Sequence, residues 1–158
     1  MTAWNDVKVL DDVRLRVVAS DSGILEILLH WERLPEGPPD PSNPFLREAA
    51  QQLRSYFAGE LREFDLPLDL RGTDFQLRVW RQLQEIPYGE TRSYGDIARA
   101  IRSAKAVRAV GAANGANPIS IVVPCHRVIG SNGKLTGYGG GLPLKKRLLE
   151  MERGSLFD

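Results

Sequence analysis

The 158-residue sequence predicts a chain in two parts, an α/β N-terminal domain over residues 1–72 and a mainly α C-terminal domain over 73–158. Three observations predict it. Strand-like alternation, a proline-rich loop and one amphipathic stretch fill the first part, whereas capped helical periodicity fills the second. The charge divides at the same point: residues 1–72 hold 8 Lys+Arg against 13 Asp+Glu, a net of −5, and residues 73–158 hold 13 against 7, a net of +6. The overall charge of +1 conceals this. A basic half suits a polyanion partner, because Lys and Arg on phosphates release condensed counterions; an ordinary solvated surface is the competing reading.

In the first part, residues 13–18 alternate as Val-Arg-Leu-Arg-Val-Val, Ser20-Asp21-Ser22-Gly23 punctuates, and 24–29 is apolar again, which predicts a hairpin. Residues 35–44 carry five prolines and are read as a loop. Phe45, Leu46, Ala49, Ala50, Leu53 and Phe57 recur at three- and four-residue spacing, a helix stopped near Gly59. Residues 64–70 alternate weakly and are expected to return as an edge strand. His30, beside Trp31, is expected to be a partly buried packing residue rather than a ligand. No catalytic cluster stands out in this part.

The second part opens at Thr73, an N-cap for a helix over 75–84 with Phe75, Leu77, Val79, Trp80 and Leu83 on its buried face. After a turn at Pro87-Tyr88-Gly89, Tyr94, Ile97, Ala98 and Ile101 mark a second helix. A break at 102–105 precedes a third helix over 106–113. Two short helices with such a break form a helix-turn-helix pattern. Nearly every side chain of the third helix is small, with Arg108 the long exception. Such a helix can reach few base edges in a major groove, but it lets backbone approach DNA closely in a minor groove; helix packing through Ala and Gly is the alternative.

Cys125 is the only cysteine, set in Pro124-Cys125-His126-Arg127 beside one of two histidines. A thiol needs help to become a thiolate at neutral pH, and an imidazole, a guanidinium or a helix opened by Pro124 would each provide it. A small buried, inert thiol is the bland alternative. One cysteine excludes an internal disulfide, and the histidines and carboxylates do not cluster as zinc ligands, so no metal is expected. The start, Met1-Thr2-Ala3-Trp4-Asn5-Asp6, lacks the basic and apolar runs of a signal peptide, and no segment approaches the roughly 20 apolar residues of a membrane span. A cytoplasmic location is expected.

Together these motifs carry a resemblance. Tyr94 in Ser-Tyr-Gly-Asp-Ile-Ala, Arg108-Ala109-Val110-Gly111, Asn117-Pro118, the run from Ile121 through Pro124-Cys125-His126-Arg127 to Ile129, and Gly137-Tyr138-Gly139-Gly140-Gly141-Leu142, with Lys145 and Glu152 beyond, resemble the O6-alkylguanine-DNA alkyltransferase family, also called methylated-DNA--protein-cysteine methyltransferases. It runs through 73–153. The first half resembles the family's N-terminal domain far more weakly. The resemblance implies a ribonuclease-H-like α/β first domain and a winged helix-turn-helix-like second one.

By that resemblance the chain repairs DNA by direct reversal, moving a methyl or larger alkyl group from guanine O6, and also from thymine O4, irreversibly to Cys125. No cofactor is needed. His126 would act as base through a bridging water, Glu152 would fix its tautomer, and Asn117 before Pro118 would brace the turn to the cysteine. A thiolate cannot reach O6 within a base stack, so the nucleotide must be flipped. Arg108 would fill the vacated space, Tyr94 would crowd the phosphate, and Ala109, Ala113 and Gly115 would complete the DNA face. The base pocket would comprise Tyr94, Val128, Tyr138, Gly139, Asn114 and Ser131, with the carbonyls of Cys125 and Val128 reading the exocyclic amine. Gly139 and Asn114 depart from many relatives and would widen the pocket. The zinc site of some members is absent, since no N-terminal cysteine exists. The partner implied is duplex DNA containing O6-alkylguanine, bound by a monomer with no obligate protein partner and no membrane. Two other classes remain: a non-catalytic helix-turn-helix DNA-binding regulator, and an alkyltransferase-like lesion-sensing protein, whose members lack the cysteine that this chain keeps. A Cys-His protease would need a deacylating water for its thioester, and nothing in the sequence singles out a site for one.

Overall fold

The computed structural model describes residues 1–154, which fall into two compact units, Met1–Arg71 and the chain from Gly72 onward. The first unit holds an antiparallel sheet of β1 (Ala3–Leu10), β2 (Val13–Ala19) and β3 (Ile24–Leu28), in that order. Leu15, Val17 and Ala19 alternate onto one face with Val7, Ile24 and Ile27, and all are buried. Helix α1 (Pro44–Phe57) packs on β1 and β2 through Leu46, Ala49, Leu53 and Tyr56. Asn43 caps it by accepting from the N–H groups of Phe45 and Leu46, and proline opens its first turn, where no donor is missed.

Arg16 lies on the opposite face of β2, 3% exposed, between the rings of Trp4 and Trp31 at 4.6 and 4.2 Å and paired with both oxygens of Asp6. The proline-rich loop is tied to β1: the Asp40 N–H donates to the Trp4 carbonyl, and the Trp4 indole donates to that of Gly37. Gly23, at φ +156, has no space for a side chain, because a Cβ there would lie 2.5 Å from the Pro67 carbonyl oxygen.

Two expectations for this unit are corrected, and one strand was not anticipated. Strand β1 went unread because Trp4, Asn5, Asp6 and Lys8 interrupt any apolar alternation at the sheet edge. Residues 64–70 form no strand; Leu68 makes a single bridge to Ile24, and Pro67 interrupts the donors a ladder would need. His30 is exposed, not half-buried, because the chain leaves β3 at Leu28.

The second unit contains α2 (Asp74–Gln84), β4 (Arg92–Ser93), α3 (Tyr94–Ala100), α4 (Val107–Gly115), a single 3-10 turn (Cys125–Arg127), β5 (Val128–Ile129) and α5 (Leu142–Arg153). Capping boxes start α2, through Thr73 and Gln76, and α3, through Ser93 and Asp96. Trp80 of α2, 2% exposed, donates its indole N–H to the Ala113 carbonyl at 2.8 Å and locks α4 against α2. Gly72 makes room for that ring: a Cβ there would stand 2.6 Å from it. The short parallel pairing of β4 with β5 sets Ser93 opposite Ile129, which places Tyr94 beside the strand that leaves the cysteine turn. Among the described residues no helix is long and apolar enough to cross a membrane.

Candidate active site

Cys125 opens the 3-10 turn and is 6% exposed. Pro124 precedes this turn instead of starting a longer helix, so three residues supply too short a dipole to activate the thiol. The turn is held from the N-terminal side by Asn117, whose amide N–H donates to the Val123 carbonyl at 2.7 Å while its oxygen accepts from the Ile119 N–H. Between these anchors the chain makes a γ-turn, with the Val122 N–H on the Ser120 carbonyl and Ile121 at φ 75. A buried β-branched residue at positive φ stores on the order of 1–3 kcal/mol of strain, which the Asn117 bonds hold in place.

His126 is fully buried, and its Nε2 lies 2.8 Å from Glu152 Oε2. Burial pushes the Glu152 carboxyl up, but hydrogen bonds and charge from His126 and Arg127 outweigh it and hold it at about 2. Glu152 is therefore ionised and can only accept, so Nε2 carries the hydrogen. Burial pushes the imidazole below its ordinary value despite Glu152, which keeps it neutral. Nδ1 is then a bare lone pair, buried and with no partner. Arg127 spans Glu152 with Nε and Nη2 at 2.8 and 3.0 Å and gives Nη1 to the Ile86 carbonyl.

Burial raises the Cys125 thiol above its ordinary range, and the Asn117 amide, the Lys145 charge and the N–H groups of Cys125 and His126 offset only part of that. This corrects the expectation of a resident thiolate. The imidazole is neutral, the guanidinium is spent on Glu152, and the turn is short, so Cys125 rests as a thiol beside a neutral base.

Helix α5 supplies two polar groups to this core. Lys145 and Glu152 share the buried face of α5 with Leu148 and Leu149, at the 3.6 period. Lys145 was given no role in the sequence reading; a lysine and a glutamate at core positions of one amphipathic helix were the available signal.

The other expected residues divide by position. Tyr94 is half-buried, and its hydroxyl accepts from Thr136 Oγ1 at 3.0 Å. The Tyr138 hydroxyl is buried without a partner, its ionisation pushed well up by burial and then by the charges of Cys125 and Glu152. Asn114 is buried and donates to the Cys125 carbonyl at 3.4 Å, while its own oxygen has no partner. The Val128 carbonyl accepts from Lys145, and the Cys125 carbonyl accepts from the Val128 N–H as well as from Asn114, so both carbonyls expected to read a base are already engaged. Gly139 has no heavy atom within 4 Å of where a Cβ would stand, and Ser131 is exposed. On α4, Arg108, Ala109 and Gly115 are exposed. Ala113 is not part of that face: it is 3% exposed and packs with Val110 toward α2. One side of this small-residue helix packs through Val110 and Ala113, as the helix-packing reading expects, and the other side is exposed. Among the described residues no group of three or more His, Cys, Asp or Glu is placed to hold a metal.

Residues 74–154 match the model of the 6-O-methylguanine DNA methyltransferase DNA binding domain, and residues 14–70 match that of the ribonuclease-like domain of the same proteins. A methylated-DNA--protein-cysteine methyltransferase of Mycolicibacterium paratuberculosis is 70% identical over 105 residues, covering 66% of this chain and 64% of that one. The crystal structure of Mycobacterium tuberculosis O6-methylguanine methyltransferase superposes with a TM-score of 0.88 at 48% identity, over 100% of both chains. That of Mycobacterium tuberculosis OGT in complex with DNA gives 0.85 at 51% identity, over 96% of this chain and 92% of the other.

Proposed function

The chain belongs to the 6-O-methylguanine DNA methyltransferase family, and from that membership we propose that it repairs DNA by direct reversal, moving an alkyl group from guanine O6 to Cys125. One observation carries the chemistry: the only cysteine adjoins a buried, neutral His126 whose Nε2–H is committed to Glu152 and whose Nδ1 lone pair is open. Cys125 loses its proton toward Nδ1, through a bridging water, as Sγ attacks the alkyl carbon in line. The Sγ–C bond forms and the C–O6 bond breaks. The electron pair departs with the purine, which regains the proton, leaving guanine in the DNA and a thioether on Cys125. No second thiol is present in the chain to remove it, so each molecule reacts once.

Burial of Cys125 requires the damaged nucleotide to leave the stack. In this proposal α3 and α4 act as the helix-turn-helix-like pair of a winged domain, with Arg108, Ala109 and Gly115 toward the minor groove. Arg108 enters the vacated space and Tyr94 crowds the target phosphate. Tyr138, Gly139, Asn114, Val128 and Ser131 surround the extruded base. The protein works as a monomer on duplex DNA, in the cytoplasm. A duplex carrying a labelled O6-methyl group tests this: label transferred to protein plateaus at one per chain, and binding without transfer overturns it.

A further inference from the structure

Asn114 is 5% exposed, on α4 with the buried Val110 and Ala113. Its Nδ2 donates to the Cys125 carbonyl at 3.4 Å, which fixes the orientation of the amide, because a carbonyl can only accept. Oδ1 is therefore the free end, buried and with no donor on it. An amide oxygen taken out of water without a partner costs stability, so the chain keeps here an acceptor that its own fold does not use. The other acceptors at the cysteine are engaged. The Cys125 carbonyl holds the Val128 N–H and Asn114, the Val128 carbonyl holds Lys145, and Nδ1 of His126 takes the thiol proton in the proposed transfer. The Tyr138 hydroxyl is also unpartnered, but it carries a hydrogen of its own and can donate. Asn114 Oδ1 alone demands a donor from whatever enters.

We propose that Asn114 is a specificity-determining residue of the base pocket, its Oδ1 accepting from the exocyclic amine of the extruded base and so selecting O6-alkylguanine over O4-alkylthymine. The proposal rests on Cys125 as alkyl acceptor. Alkylation at O6 leaves ring N1 of guanine without a hydrogen, so the 2-amino group is the only donor that the base retains. O4-alkylthymine has none, since alkylation strips N3 of its hydrogen and O2 can only accept. The guanine lesion therefore satisfies the buried oxygen, and the thymine lesion leaves it orphaned. Leaving a buried acceptor unpaired penalises the wrong substrate by more than the made bond favours the right one. An apolar side chain of the same size would fill the space without that discrimination.

The test measures single-turnover methyl transfer by wild type and Asn114→Leu from three duplexes that differ only in the lesion: O6-methylguanine, O6-methylhypoxanthine, which lacks just the 2-amino group, and O4-methylthymine. Leucine keeps the volume and removes the acceptor. The ratio of the O6-methylguanine rate to the O6-methylhypoxanthine rate is expected to fall about tenfold in Asn114→Leu, and the preference for O6-methylguanine over O4-methylthymine to fall with it. The missing bond to the Cys125 carbonyl lowers all three rates by a common factor and leaves the ratios alone. Ratios that the substitution does not change overturn the proposal. Should Asn114→Leu not fold, carbon-13 NMR of the Asn114 side-chain carbonyl in Cys125→Ser decides: its resonance moves with the O6-methylguanine duplex and not with the O6-methylhypoxanthine duplex, and an equal response to both overturns the proposal. Failure of transfer from all three duplexes in wild type, with that resonance still moved only by the guanine lesion, overturns the acceptor role of Cys125 alone.

Discussion

At Cys125 the chemistry depends on which proton is where. A thiol raised by burial and an imidazole lowered by burial sit side by side, so neither is charged until they exchange a proton. Such a pair keeps the nucleophile quiet until a substrate is seated. It also sets the acid limb of the rate. His126 titrates below the ordinary histidine value of about 6.5, so the alkyl-transfer rate should hold as pH falls from 7.5 to about 6.5 and decline below it. Stopped-flow measurement with a free O6-alkylguanine base checks this, and a decline centred above 6.5 contradicts it. The cysteine, its histidine and the acid partner were legible in the sequence through the resemblance. Their protonation was not, because burial, hydrogen bonding and the direction of Nε2 are properties of packing that a tetrapeptide does not encode.

Among the elements, those with local signals were legible. Thr73 and Ser93 are caps that depend on three-residue spacing, and α2 and α3 start where those spacings place them. Helix α5 and strand β1 were missed for opposite reasons: α5 buries Lys145 and Glu152 at positions a pattern reader reserves for apolar residues, and β1 carries polar residues on a sheet edge. Helix α4 shows how one element serves two ends. Ala113 and Val110 are buried toward α2, and Arg108 projects from the exposed side as its one long chain. Its role is separable from chemistry, since a free base needs no flipping. Arg108→Ala should slow transfer from duplex DNA at least tenfold while leaving reaction with free O6-benzylguanine within about twofold, as loss of an inserted side chain predicts. Equal losses on both substrates, measured as single-turnover rates, would remove the flipping role.

For the whole molecule, the charge changes sign near the point where the chain separates into two compact units, the first ending at Arg71 and the second opening at Gly72. The basic unit carries the site. The ionisable core of that unit also makes stability depend on pH. Glu152, held at about 2, contributes stability above its unfolded value of about 4.5 that is lost as pH falls toward 2. His126 is lowered on folding, so the unfolded chain takes up its proton first and stability already declines below about pH 6.5. Both shifts have the same sign. The melting temperature should therefore fall from pH 7 to pH 4 in thermal scans, and a constant or rising value would contradict the buried His126–Glu152–Arg127 arrangement.

The central claim is that Cys125 itself takes the alkyl group, once. Intact-mass spectrometry after incubation with excess O6-methylguanine duplex, followed by peptide mapping, tests it most directly. The account predicts a gain of one methyl group on every chain, located on Cys125 and absent from Cys125→Ser. An unchanged mass with the duplex bound, or a methyl group on any other residue, would contradict it.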